Sequence, residues 1–246
     1  MKKAILTFIL LILIHQAMAQ SNVRSIEQLI NTKESSWPNI LSWVDSAKNF
    51  IEIIPIDTTI SREALFHTQV TTRSPMGAIV YHCGGILIDH GWIRILGSGV
   101  DSLHRSLPNW NKGKAFNEFG EAPSFLFIAD DAVGGFFILN GGGLGEDIGK
   151  IYYLAPDNLT FEPLNITYTD FLLFCFNADL NLFYENLRWS NWEEDLKTLQ
   201  PTDVFSFFPY LWTTEGKDIN QVTKKIVPIE EHYLMTIELM KQLEQK

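Results

Sequence analysis

Residues 125–139 have the sequence FLFIADDAVGGFFIL, which is the clearest indication of the fold in this chain. Two short apolar and aromatic runs, Phe125 to Ala129 and Phe136 to Leu139, flank a turn at Gly134-Gly135. Short runs of this kind, bounded by glycine and aspartate, are typical of β-strands joined as a hairpin. The stretch therefore predicts an antiparallel pair of strands in a central sheet.

Further strands are predicted on both sides of this hairpin, in other short apolar runs that end at glycine. They are Ala78 to His82, Ile86 to Ile88, Trp92 to Leu96 and Ile151 to Leu154, with turns at Gly84-Gly85, His90-Gly91 and Asn140 to Gly143. Together with the first pair, these runs form a block of hairpins between residues 76 and 154.

Helical signals lie at both ends of the chain, where capping residues precede apolar positions three or four apart. The predicted helical segments are a capping box at Ser25 to Gln28, Asn39 to Lys48, a short helix capped by Ser61 and running to His67, one from Tyr168 or Thr169 towards Tyr184, one from Trp189 to Leu199 before Pro201, and Glu230 to Leu243. Helices on both sides of a block of hairpins predict an α+β domain with a central, mostly antiparallel sheet flanked by helices.

The first nineteen residues have the three parts of a cleavable secretory signal peptide. Lys2 and Lys3 form a positive start, Ala4 to Ile14 form an apolar run, and Ala17-Met18-Ala19 matches a signal peptidase site. The apolar run is shorter than the roughly 20 residues that span a bilayer, although an uncleaved anchor remains the alternative. We expect cleavage before Gln20, export to the periplasm or extracellular space, and a single domain over residues 20–246.

The composition limits the classes of partner. Removal of Lys2 and Lys3 takes the formal charge from −10 to −12, while 46% of all residues are hydrophobic and 13% aromatic. An acidic balance disfavours nucleic acid and anionic membrane surfaces as partners, because both repel a negative protein. The apolar content is sufficient for a compact core.

The two cysteines, Cys83 and Cys175, are too few for a disulfide-built scaffold. Whether they pair is left open, because the sequence does not give the distance between them. His82 beside Cys83 has no second pair of ligands, so no zinc site is predicted.

Motifs for catalysis or cofactor binding are weak. The run Gly97-Ser98-Gly99 is shorter than a nucleophile elbow, and Asn140 to Gly145 precedes a strand rather than the helix that a dinucleotide site requires. Both are interpreted as turns, and no cofactor is expected. The five histidines that follow the predicted signal peptide show no triad or metal-ligand spacing; they are His67, His82, His90, His104 and His232.

Two adjacent acidic pairs, Asp130-Asp131 and Glu146-Asp147, are the strongest candidates for chemistry. Carboxylates can bind calcium or act as acid and base. Neighbouring residues on a strand point to opposite faces, so at most one of each pair serves a given site. Aspartate is also a common capping residue in turns, and we expect a solvated or capping role.

Four longer motifs resemble a bacterial family known as domain of unknown function 2625. They are GGILIDHGWIRILGSG at residues 84–99, FIADDAVGGFF at 127–137, GKIYYLAPD at 149–157 and FYENLRW at 183–189. The resemblance implies no activity. A more distant likeness is to the SUKH superfamily, whose α+β members include immunity proteins that neutralise toxins by binding. It rests on the order of Phe125 to Gly135, Phe136 to Leu139, Ile151 to Tyr153 and the helix Thr169 to Phe176.

Two functions follow as hypotheses. The first is a non-enzymatic binding module whose glycine-rich loops, with Trp92, Arg94 and Trp110, recognise an envelope or extracellular protein. Tryptophan and arginine are enriched at the energetic centres of protein interfaces. The second is an envelope hydrolase with Asp130 or Asp131 as the acid or base.

Overall fold

A computed structural model describes residues 23–100, 103 and 105–244 of the chain. The predicted signal peptide and His104 lie outside the described residues.

The described chain contains a seven-stranded sheet and a separate two-stranded hairpin, and every pairing of named strands is antiparallel. The large sheet consists of β1 (Ile51–Ile54), β2 (Gly85–Ile88), β3 (Ile93–Leu96), β4 (Phe125–Asp131), β5 (Phe136–Asn140), β6 (Lys150–Leu154) and β7 (Phe161–Thr167), and the hairpin of β8 (Asp203–Phe208) and β9 (Thr223–Pro228). Each strand of the large sheet pairs with its neighbours in the sequence.

Helices precede the block of hairpins, connect its strands and follow it. They are α1 (Ile26–Leu29), α2 (Trp37–Asp45), α3 (Thr58–Thr68), α4 (Pro75–His82), α5 (Leu107–Asn111), α6 (Tyr168–Asn177), α7 (Leu180–Phe183), α8 (Trp192–Leu196) and α9 (Ile229–Glu244). The arrangement confirms the predicted α+β class with a central antiparallel sheet and several helices.

Three predictions of local structure are wrong. The single helix predicted from Tyr168 or Thr169 towards Tyr184 is two helices, α6 and α7, because Asp179 caps a new helix that begins at Leu180. The run Ala78 to His82 is helical, because the side chain of Ser74 accepts a hydrogen bond from the amide of Gly77 and Pro75 occupies the first turn. A short apolar run fits a buried helix as well as a strand. Helix α3 is capped by Asp57 rather than by Ser61, which lies inside the helix.

The strands that the sequence did not predict are at sheet edges or in the small hairpin. In β7 no residue is buried, and β9 carries Lys224 and Lys225. Edge strands are often polar, which removes the alternation that reveals a strand. Helix α9 is present as predicted, but its buried face contains His232, Tyr233 and Thr236, and Leu234 is 58% exposed.

The central sheet is covered on both faces. On one face, Phe137 packs on Phe171 of α6 with ring centres 4.8 Å apart. On the other, Phe136 packs on Trp110 of α5 at 6.3 Å and on Tyr233 of α9 at 5.7 Å. Adjacent residues of β4 and β5 therefore contact different layers.

Both cysteines are free and buried, so they do not form a disulfide. Burial raises the pKa of Cys83 to about 12. Each thiol behaves as a small apolar side chain. Across the described part of the chain, no helix combines the length and apolar character needed to cross a bilayer.

Candidate functional site

The three residues expected on a binding surface are buried. Trp92 is 0% exposed, Arg94 1% and Trp110 5%. Trp92 packs edge-on against Trp192 and Tyr184, at 4.9 and 5.4 Å between ring centres. The expectation that these side chains form an exposed binding surface is therefore wrong, because the sheet and its covering layers enclose Trp92 and Arg94, and Trp110 reaches only the lining of a cleft beside α5.

Asp130 is 0% exposed and lies between two arginines. Arg94 Nε donates to Asp130 Oδ1 at 2.6 Å, and Arg105 Nη1 donates to Asp130 Oδ2. The guanidinium groups also donate to backbone carbonyls, from Arg94 Nη1 to Asp203 at 2.5 Å and from Arg105 Nη2 to Pro201 at 2.9 Å. This ion network attaches the start of β8 to the central sheet.

Asp131 is equally buried, and among the described residues no ion pair reaches its carboxylate, whereas Asp130 has two. Its Oδ1 accepts from the amides of Val133 and Gly135, at 3.1 and 2.8 Å. Its Oδ2 accepts from the hydroxyls of Tyr153 and Tyr184, at 2.7 and 3.1 Å. Burial raises the pKa of this carboxyl above its ordinary value, and burial also raises the pKa of both tyrosines.

The position of these carboxylates corrects the sequence interpretation. Asp131 caps a turn as expected, but neither aspartate is solvated, and neither can touch a substrate as acid or base. Asp147 Oδ1 instead accepts from Tyr152 Oη at 2.7 Å, so the two acidic pairs have separate partners. Among the described residues, no group of three or more potential ligands could hold a metal ion.

The loop between β5 and β6 is organised by Asn140. Its Oδ1 accepts from the amides of Gly142 and Leu144, and its Nδ2 donates to the carbonyl of Gly145 and to Asp147 Oδ1. Asparagine side chains commonly hold turns in this way. The result is an ordered glycine-rich loop over residues 140–149 that forms the wall of a cavity.

This cavity has a volume of about 310 Å³ and is predominantly apolar. Its floor includes Leu126 and Leu139, which face each other across β4 and β5. The other lining residues come from α3, α4, α5, from the ends of β4 and β5, and from three loops: His67, Thr68, Val70, Met76, Leu107, Pro108, Phe116, Gly120, Glu121, Pro123, Phe125, Asn140, Gly141, Ile148 and Gly149. Ligand pockets in proteins begin at about this volume and share this apolar character.

Exposed apolar side chains lie beside the cavity. Ile148 lines it and is 70% exposed, so this residue marks the mouth. Phe66, which is 40% exposed, has its ring centre 6.0 Å from that of the lining residue His67. Val23 also borders the cavity, since its Cγ2 lies 3.6 Å from the position that a Cβ on the lining residue Gly120 would take. Exposed apolar groups around a concave site are typical of binding surfaces.

The titratable residues lining the cavity are His67 and Glu121. The His67 ring stacks on Phe119 with 3.7 Å between ring centres, and burial lowers its pKa. Glu121 is exposed, and its Oε2 accepts from the amide of Asn117 at 2.8 Å. The hydroxyl of Thr68 donates to the carbonyl of Ala64 at 2.7 Å. The lining therefore supplies shape and apolar surface for binding.

The glycine-rich loop was recognisable from the sequence, but the residues that line the cavity beneath it were not predicted. Ile148 was the available signal, because it is an isolated apolar residue between Asp147 and Gly149 in a polar loop. The contributions of His67 and Phe116 had no local signal, since they come from elements distant in sequence.

Comparison with known proteins gives related chains along most of the length. A family model described as "Protein of unknown function DUF2625" matches residues 26–232, which include every lining residue of the cavity. An "Uncharacterized protein" of Haemophilus influenzae is 46% identical over 211 residues, 86% of this chain and 92% of the relative. "Putative uncharacterized protein YbfG" of Escherichia coli is 42% identical over 217 residues, 88% of this chain and 97% of the relative. No solved structure matches the chain.

Proposed function

The chain belongs to the DUF2625 family, and we propose that this member is an exported, non-enzymatic module that binds a protein partner. The observation that carries the proposal is the apolar cavity beneath the glycine-rich loop, with Ile148 at its mouth. Export follows from the signal-peptide pattern in residues 1–19.

The cavity suits a bulky apolar side chain of the partner. Burial of apolar surface is the main favourable term in protein association, and an anchor residue that fills a pocket often dominates the affinity. The walls are held by hydrogen bonds of Asn140, so little ordering cost remains when the partner binds.

The charges at the mouth favour basic residues beside that anchor. Glu121 lines the cavity, and Glu146 lies two positions before Ile148; both glutamates are exposed. The formal charge of the whole chain is −10. Complementary charges at an interface accelerate association and select the partner.

An immunity-like role, in which the module neutralises its partner by binding, is compatible with this site. The elements β4, β5, β6 and α6 follow in the order that suggested a SUKH likeness, with β7 as an additional strand before α6. The relation to that superfamily stays a prediction.

The test is a pull-down from the envelope fraction with the mature chain, residues 20–246, and two variants. In Ile148→Asp the mouth carries a charge, and we expect the captured partner to be lost. In Leu182→Asp the same change is made at a residue of α7 that is 68% exposed, against 70% for Ile148, and does not line the cavity. This variant should capture the partner as the unmodified chain does.

The proposal is wrong if Ile148→Asp captures as much partner as Leu182→Asp does, or if the unmodified chain captures none. Export is tested separately by N-terminal sequencing of the product released from cells, which should begin at Gln20. A product that starts at Met1 and stays in the cytoplasm would contradict export and leave the binding test valid.

A further inference from the structure

A second concave site adjoins α5. It is a cleft of about 350 Å³, lined by Arg105, Asn109, Trp110, Lys114, Thr202, Pro228, Ile229 and Glu230. The same short helix gives Leu107 and Pro108 to the apolar cavity. Helix α5 therefore contributes to two sites of different chemistry, an apolar cavity and a cleft whose lining includes charged side chains.

Positive charge is concentrated in the cleft. Lys114 Nζ lies 4.1 Å from the centre of the Trp110 ring, and Arg105 Cζ lies 4.9 Å from the same centre. The two cationic side chains are only 11% and 7% exposed. Glu230, the acidic residue of the lining, pairs with Lys114 at 3.0 Å but is 52% exposed at the rim.

Two buried donors of the lining have no acceptor. Arg105 Nε and Trp110 Nε1 make no hydrogen bond within the described ranges, 23–100, 103 and 105–244. The terminal nitrogens of Arg105 are already used by Asp130 and by the carbonyl of Pro201. Buried polar groups without a partner are rare in native proteins, and each of them needs an explanation such as a ligand.

We propose that this cleft is a carboxylate-binding site, in which a carboxylate accepts hydrogen bonds from Trp110 Nε1 and Arg105 Nε while Lys114 supplies the charge. Asp130 neutralises much of the charge of Arg105, and Glu230 neutralises only part of that of Lys114 from the rim. A singly charged carboxylate matches the remaining positive charge better than a doubly charged phosphate does. The ligand is a small organic acid or the carboxylate of a peptide.

The indole N–H signal of Trp110 in a proton–nitrogen-15 NMR spectrum reports directly on the proposed hydrogen bond from Trp110 Nε1 to the carboxylate. This signal is assigned as the one that disappears from the spectrum of Trp110→Phe. The mature chain is titrated with propionate and with glycylglycine carrying a blocked amino end and a free carboxylate. Propionamide, the amidated dipeptide and inorganic phosphate serve as comparisons. We expect a saturable downfield shift of the indole proton with at least one carboxylate probe and none with its amide.

Propionate and the dipeptide distinguish the two sources of the carboxylate, and a response to either supports the site. Lys114→Met should weaken that binding about tenfold, since it removes a charge-assisted contact. The matched control is Lys112→Met, because Lys112 also lies over an aromatic ring, Phe119 at 4.7 Å, and pairs with Glu118 at 3.0 Å, but does not line the cleft.

The proposal is overturned by an indole signal that no carboxylate moves, by a response to phosphate alone, or by equal losses in the Lys114 and Lys112 variants. Because the probes are small acids, Ile148→Asp should respond to them as the unmodified chain does. The two proposals can therefore fail independently.

Discussion

Asp130 and Asp131 are adjacent, identical in type and both fully buried, yet the two faces of the sheet stabilise them differently. On the α5 and β8 side, two arginines neutralise Asp130. On the α6 and α7 side, Asp131 is held by two hydroxyls and two amides. The comparison shows that the partners available on each face of the sheet, and not the residue type, determine how a buried carboxylate is accommodated.

The two arrangements should respond differently when one partner is lost. A buried ion network depends on its charge balance, because removal of one charge leaves the others desolvated and unpaired. A carboxylate held by neutral donors depends on hydrogen-bond geometry and on the space around it.

Asp130→Ala should give the largest loss of stability, about 3–5 kcal/mol, because Arg94 and Arg105 remain buried without their counterion. The start of β8 should also loosen, since both arginines donate to carbonyls there. Urea unfolding measures the first effect and amide hydrogen exchange in β8 the second. Unfolding at an unchanged urea concentration would contradict the role of the network.

Gly135→Val should lower the free energy of unfolding by about 1–3 kcal/mol, the usual cost of overpacking. A Cβ at this position would overlap Tyr153 Oη and lie 2.6 Å from Asp131 Oδ2. The expected loss comes from steric overlap and not from backbone strain, because the glycine of this turn with a positive φ, 83°, is Gly134 and not Gly135. Thermal unfolding is the measurement, and a melting temperature equal to that of the unmodified chain would show that the site can expand.

Tyr184→Phe should cost about 1 kcal/mol, because it removes one hydrogen bond to Asp131 Oδ2 and leaves the bond from Tyr153. The ring remains packed against Trp92. Urea unfolding in parallel with Tyr153→Phe tests whether the two hydroxyls share the carboxylate. Additive losses in the double variant would contradict such sharing.

Asp131→Asn should change stability little at neutral pH, but it should remove a pH dependence. Burial raises the folded-state pKa of Asp131 above its ordinary value of 3.8, so the folded protein binds this proton more tightly than the unfolded chain does. Protonation of Asp131 therefore increases the free energy of unfolding. This contribution is fully present below pH 3.8 and is lost as the pH rises through the folded-state pKa.

As the pH rises from 3.8 through the folded-state pKa of Asp131, the free energy of unfolding of the unmodified chain should therefore fall relative to that of Asp131→Asn. Urea unfolding at a series of pH values gives the difference between the two proteins. A difference that grows with pH in favour of the unmodified chain would show that the carboxylate is stabilised in its charged form.

Lys197→Ala should leave the melting temperature unchanged. Its ion pair with Glu194 spans 2.6 Å, but both side chains are at least 70% exposed, and water screens such pairs. This variant is the surface reference for Asp130→Ala. A loss comparable to that of Asp130→Ala would mean that the buried position of the network is irrelevant.

Local sequence patterns were sufficient for most of the regular structure. Short apolar runs bounded by glycine predicted the hairpin at residues 125–139 and the strands at Ile86 and Ile151. Such signals are local, because neighbouring residues decide the geometry of a turn. The capping box at Ser25 and helix α9 are equally local. The polar edge strand β7 was missed because its residues do not alternate in burial.

Periodicity, turns and motifs depend on neighbouring residues, so they were sufficient to predict the α+β class, the central hairpins and the family of this protein. The three-dimensional arrangement was needed to see that the glycine-rich loop closes over an apolar cavity and that five predicted site residues are buried: Trp92, Arg94, Trp110, Asp130 and Asp131. The partners that make burial possible are distant in sequence, with Arg94 36 positions from Asp130 and Tyr184 53 positions from Asp131. A charged side chain can leave water only where the fold brings such partners to it, and no local pattern contains that information.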